Sequence, residues 1–215
     1  GGLFGEQAGP WQHAASLMGV EALILASYDQ PSEVHELLHG LTEKKLRYIE
    51  ESLAGTEFDL IETGGGAASS TVISPKIFKN FCLPYDRQIH DALHSLGHKV
   101  VYHTCGGMMA ILDLIVANGA DASETLSPAA IGGDADVAEI KRRIGGQVCL
   151  IGGMDQINLL TSGSPQQIRA EVERLFSALG PGGGYICSGC DHFFDAPPQN
   201  LRAFAEAGHA CRYDG

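Results

Sequence analysis

Apolar positions along this chain recur at two spacings, and the spacings take turns. Near the start, Gly9-Pro10-Trp11 opens a helix in which Ala14, Leu17 and Met18 fit the pattern up to Gly19. Glu21 to Tyr28 follows as a second short helix, closed by Asp29-Gln30-Pro31. Ser32 reads as the N-cap of a long helix carrying Val34, Leu37, Leu38, Leu41, Ile49 and Leu53 up to Gly55. Phe58 to Thr63 is a strand ending in Gly64-Gly65-Gly66. Ser74-Pro75 caps another long helix with Ile77, Phe78, Phe81, Ile89, Leu93 and Leu96 inside, stopped by Gly97. Pro84 should kink or divide it, because proline has no N–H to give the helix.

Beyond Gly97 the rhythm is regular. His98 to His103, Asp121 to Thr125, Val148 to Ile151 and the run ending at Cys187 read as strands. Between them lie a helix from Met108 to Ala117, one capped by Asp134 with Val137, Ile140 and Ile144, and one opened by Ser164-Pro165. Pro197-Pro198 leads the last helix, with Leu201 and Phe204. Strands alternating with such helices mean a parallel sheet with crossover helices, an α/β fold. No fingerprint of three spaced glycines follows an early strand, so a nucleotide-binding open sheet is the weaker choice. Every polar motif lies just after a strand, as in a (β/α)8 barrel of the TIM type, where chemistry sits at the carboxyl ends of strands. About five strands are recognisable where a closed barrel has eight. The expectation is one domain over 1–215, an incomplete barrel whose first strands are absent.

Composition narrows the classes. With 44% hydrophobic and 19% charged residues, the 215-residue chain is globular and large enough for a real core. A formal net charge of −12 argues against nucleic acid and anionic membranes as partners. No apolar run approaches the roughly 18 residues that span a bilayer. Six cysteines are too sparse for a disulfide scaffold, which implies a reducing, cytoplasmic setting.

The chemistry gathers at strand ends. Val100-Val101-Tyr102 runs into His103-Thr104-Cys105-Gly106-Gly107, and residues two apart in an extended chain point to one side. The imidazole of His103 and the thiol of Cys105 can therefore meet one ion. Far downstream, Tyr185-Ile186-Cys187 ends in Ser188-Gly189-Cys190. The expectation is that these two strand ends come together around one zinc held by His103, Cys105 and Cys190. Three protein ligands leave a position for substrate, with Glu62 or Glu124 as a labile fourth. Two thiolates and a neutral imidazole leave zinc without net charge. Such a site suits binding another thiolate, kept deprotonated yet electron-rich, which is the chemistry of alkyl transfer to sulfur. Glu62, Glu124 and Asp155 are the candidate catalytic carboxylates; the ordinary alternatives are solvated rim groups for the first two and an N-cap for Asp155. Cys187 reads as a core residue, Cys82, Cys149 and Cys211 as structural, and His35, His39, His90 and His94 as surface residues of the long helices.

In order along the chain, Ser74-Pro75-Lys76-Ile77-Phe78 with Leu83-Pro84-Tyr85, Tyr102-His103-Thr104-Cys105-Gly106, Ile151-Gly152-Gly153-Met154-Asp155 and Pro198-Gln199-Asn200-Leu201 make a set that resembles the uroporphyrinogen decarboxylase superfamily. The resemblance covers almost the whole chain and implies a (β/α)8 barrel. The H-x-C motif with a late Gly-Cys resembles the branch of zinc-dependent, corrinoid (cobalamin)-linked methyltransferases. That likeness implies His103, Cys105 and Cys190 as zinc ligands, a corrinoid protein as partner, and a small methyl donor or a thiol acceptor as substrate. The alternative is a metal-free decarboxylase-like lyase acting on tetrapyrrole carboxylates; a binding protein without turnover is the third reading. Arg47, Arg142, Arg143, Arg169, Arg174 and Arg202 all fall on helices, which disfavours a substrate with many carboxylates. An open barrel fragment exposes sheet edges, so a homodimer, a complementing segment or poor solubility is expected.

Overall fold

In the computed structural model, which describes residues 4–6, 8–192 and 195–213, six parallel strands lie side by side in chain order. The elements run β1 (Phe4–Glu6), α1 (Pro10–Met18), α2 (Val20–Asp29), α3 (Pro31–Tyr48), β2 (Leu60–Gly64), a single turn α4 (Pro75–Ile77) and α5 (Leu83–Ser95). Then come β3 (Val100–His103), α6 (Leu112–Ala117), β4 (Ala122–Thr125), α7 (Val137–Ile144), β5 (Cys149–Met154), α8 (Pro165–Leu179), β6 (Tyr185–Gly189) and α9 (Pro198–Ala210). Strand, helix, next strand: this is the winding of a (β/α)8 barrel, here with six strands among the described residues.

The strands separate two apolar layers. Ile61, Val100, Tyr102, Leu150 and Tyr185 face outward into the helices, whereas Val101, Ala122 and Ile151 pack together on the inner face. Burial on both sides explains the unbroken apolar run Val100-Val101-Tyr102. The helices hold on by spaced apolar stripes. In α8, Ile168, Val172, Leu175 and Leu179 are all completely buried, each contributing roughly 1.5–3 kcal/mol of transfer free energy. Ser164 and Gln167 close its start as a reciprocal capping box.

Several expectations change on contact with the structure. The three-residue strand β1 has no sequence pattern long enough to reveal it. Ser32 lies inside α3, which Gln30 precedes as cap. Asp134 does not cap α7; Asp136 does, accepting from Glu139 N, while Asp134 accepts from the N–H groups of Met108 and Met109. His90 is fully buried rather than on the surface: its ring bonds the Thr63 hydroxyl and the Asn118 carbonyl, each at 2.8 Å. Pro84 does divide its helix. A π turn spans Phe78–Cys82, and the Leu83 N–H reaches back to the Phe78 carbonyl. No helix among the described residues is long and apolar enough to cross a membrane.

Candidate metal centre

The register of β2, β3 and β4 builds the centre. His103 pairs with Glu124 across β3–β4 and with Gly64 across β2–β3, while Glu62 sits beside Val101. Because side chains alternate along a strand, Glu62, Val101, His103 and Glu124 share the inner face. His103 Nδ1 donates to Glu124 Oε1 at 2.8 Å and lies 3.5 Å from Glu62 Oε1. Their side chains are 17%, 18% and 22% exposed, so this charge cluster is largely withdrawn from water yet open on one side.

Burial works against a charged His103. Its contacts with Cys105, Glu124 and Glu62 outweigh that and raise it to about 10. The imidazolium is therefore the positive charge that two carboxylates demand. Cys105 is half-buried beside His103, and its sulfur faces Gly66: a side chain's first carbon there would stand 2.7 Å from it.

Among the described residues, the metal-capable donors that lie within 4.8 Å of one another are those of Glu62, His103 and Glu124. The donors of the expected trio, His103, Cys105 and Cys190, are not drawn together within that distance among the described residues. The reason is the position of Cys190. It follows β6, three strands from β3 in the sheet, and its sulfur is turned to the Leu126 carbonyl at 3.7 Å. Burial pushes this thiol up to about 12. Asp155 likewise serves a local purpose. Its Oδ1 accepts from the N–H groups of Ile157 and Asn158, and its Oδ2 from the Asn158 amide, which makes it an N-cap.

Glu62, His103, Glu124 and Cys190 nevertheless line one cavity of about 900 Å³. Gln12 and Ser16 of α1, Gly64 to Gly66, Thr125, Ser188, Asp191 and His192 complete much of its wall, which contains no lysine or arginine among the described residues. Gln12 was not anticipated; its Oε1 accepts from the Ala67 N–H and fixes the glycine loop. Imidazole, carboxylate and thiol are a donor set that zinc takes, and a cation at the cluster replaces the proton that His103 otherwise carries. The residues present fit such an ion.

A parallel β/α sheet with polar side chains converging at the carboxyl ends of its strands defines a barrel protein of the TIM class. The uroporphyrinogen decarboxylase (URO-D) family profile matches residues 2–211, and the chain belongs to that family. It is 30% identical to the uroporphyrinogen decarboxylase of Serratia proteamaculans over 224 residues, covering 97% of this chain and 58% of that protein. It is 32% identical to that of Vibrio cholerae over 193 residues, covering 85% and 50%. A methyltransferase from Methanosarcina mazei superposes with a TM-score of 0.81 at 21% identity, covering 96% of this chain and 58% of that one. The chain thus spans little more than half the length of these relatives.

Proposed function

We propose that this chain carries the metal half of a corrinoid-linked methyl-transfer site. The observation that supports the reading is the His103 cluster, in which Glu62 and Glu124 converge on the imidazole and Cys105 stands beside it. In this reading His103, Cys105 and Cys190 would hold zinc, and Glu62 or Glu124 would supply an oxygen to it. Zinc bound there keeps an acceptor thiol deprotonated at neutral pH, which is what methyl transfer to sulfur requires. The residues of the chain do the rest. Glu124 fixes the tautomer and orientation of His103, and the roomy cavity admits a thiol or other small methyl carrier. A corrinoid held by a partner protein would supply the methyl-carrying chemistry at the cavity.

The names of the curated relatives favour a second reading, decarboxylation of a tetrapyrrole without metal. The cavity wall speaks against it, because Glu62, Glu124 and Asp191 line it and no lysine or arginine does among the described residues. Such a wall repels a polycarboxylate. Elemental analysis of the purified protein, with Cys105→Ser and Cys190→Ser beside it, separates the two. About one zinc per chain, reduced in both variants together with methyl transfer from methylcobalamin to a thiol, is the expected result. Full zinc and full transfer in either variant, or a metal-free protein that decarboxylates, rejects the methyl-transfer reading.

A further inference from the structure

Large apolar side chains are unevenly spread over the surface. Ten stand exposed among the described residues, and five of them, Leu17, Met18, Val20, Leu25 and Tyr28, lie together at the end of α1 and along α2, each 41–63% exposed. Single exposed apolar residues are ordinary, whereas a run this dense marks an interaction site. Gly19, at φ of 85°, turns the chain between the two helices, and a side chain's first carbon there would meet nothing within 4 Å, so the corner is open. Leu23 and Ser27 are the buried residues of α2. Helical spacing puts Glu21, Leu25, Tyr28 and Asp29 together on its outer side, where all four are exposed. That side carries two apolar residues with a carboxylate one turn to either end.

The patch adjoins the cavity. Gln12 and Ser16, one helical turn apart on α1, belong to the cavity wall, and Ser16 Oγ donates to the Gln12 carbonyl at 3.0 Å. Leu17 and Met18 follow at once. Charge narrows what can sit there. No lysine or arginine precedes Lys44, and the charges of α2 and the first half of α3 are Glu21, Asp29, Glu33 and Glu36, all exposed. Such a rim repels nucleic acid and anionic lipid. A second copy of this chain, meeting the first through the same face, would set these carboxylates against one another. The surface that fits is another protein's, apolar at its centre with lysine or arginine around it.

We propose that the α1–α2 corner is the docking surface for the protein that carries the methyl group, and that this carrier presents an apolar patch ringed by basic residues. The assignment rests on the methyl-transfer reading of the cavity and adds where the carrier sits. A carrier seated on Leu17 and Met18 stands next to the wall formed by Gln12 and Ser16, within reach of the cavity it must serve. Leu25 and Tyr28 hold it, since large apolar and aromatic anchors carry most of the affinity of an interface. Glu21 and Asp29 act on its approach, because charges at a rim steer encounter more than they strengthen binding.

The test uses two methyl donors: free methylcobalamin, which needs no docking surface, and a methylated corrinoid protein purified from the source cells by its visible cobalt absorption. Sedimentation followed at that absorption reads binding of the corrinoid protein, and methylation of a thiol reads the cavity. Leu25→Ala combined with Tyr28→Ala should weaken binding of the corrinoid protein by roughly 10-fold or more, with the rate from free methylcobalamin and the thermal midpoint unchanged. Glu21→Lys combined with Asp29→Lys should slow association and remove most of its dependence on salt. Unchanged binding in both variants, with transfer from free methylcobalamin intact, overturns this proposal alone. A wild-type protein that transfers methyl from neither donor overturns the methyl-transfer reading and this proposal together. A wild-type dimer that the Leu25→Ala, Tyr28→Ala variant dissociates gives the face to a second copy and also overturns the proposal.

Discussion

Two histidine–carboxylate pairs sit at opposite ends of the same sheet. At the carboxyl end, His103 meets Glu124 at 2.8 Å; at the amino end, His94 meets Asp121 at 2.7 Å. The pair distance does not tell them apart, but their neighbours do. Asp121 is saturated: it also accepts from Lys99 Nζ at 2.8 Å and from the Val100 N–H at 2.9 Å, tying α5 and two strand starts together. The His103 pair instead gathers a second carboxylate, Glu62, and a thiol, Cys105, beside a cavity. One end has matched its charges, and the other has crowded like charges around a single proton. A cluster of that second kind is stable only with a cation in its centre, and that is the property a metal site needs.

The comparison breaks most sharply by substitution. His103→Ala should abolish zinc retention and reduce methyl transfer by more than the roughly 10–100-fold that a lost outer partner costs. Its thermal midpoint should fall below that of metal-free wild type, because Glu62 and Glu124 lose the imidazolium that balances them. Equal zinc content in the variant would put the ion elsewhere. Asp121→Ala should do the reverse. It leaves the partly buried Val100 N–H without its acceptor and should cost about 1–3 kcal/mol in urea unfolding, with zinc content unchanged. The pH dependence of the two ends differs too. Asp121 is held below the usual carboxylate range, despite partial burial, by its bonds to Lys99, Val100 and His94. Its stabilisation is therefore present above the unfolded carboxyl pKa and is lost as pH falls through the lowered one.

The strand-end chemistry was legible because it follows from two periods. An apolar run marks β3, and the alternation of side chains places Glu62, His103 and Glu124 on one face once the strands are in register. Register itself was not legible, and it decides that the carboxylates, rather than Cys190, stand next to His103. His90 carried a readable signal: it lies four residues after Asp86 and three before Leu93, on the inner stripe of α5. Two polar residues on an apolar stripe point to a buried network, which the structure contains. Thr125 and Ser127 gave less. Their spacing suggests one side of a strand, but the chain turns at Leu126, and only the close approach to Gly133 and Gly152 explains where the hydroxyls go. The family motifs preserve the barrel winding and the H-x-C element.

The last contrast concerns a third carboxylate, one that neither pairs with a histidine nor meets the cavity. Asp86 on α5 is buried at 2% exposure and accepts from the Tyr102 hydroxyl at 2.8 Å. Burial raises it to about 7, although the Tyr102 bond and the Lys45 charge pull the other way. The sign is opposite to that of Asp121. A carboxyl easier to protonate when folded stabilises the protein fully below the unfolded value near 3.8, and that contribution is lost as pH rises through about 7. Between those limits the slope is about 1 kcal/mol per pH unit, since the folded state holds a proton that the unfolded chain has released. Asp86→Asn keeps an acceptor for Tyr102 and carries no charge to bury. Relative to wild type, it should remove that downward slope from the stability of metal-free protein between about pH 5 and 7, while the opposite slope from His90, pushed down to about 4 by burial, stays in place. An unchanged slope in Asp86→Asn would mean that the folded protein solvates this carboxylate, and the contrast between matched and crowded charges would then have to be drawn without it.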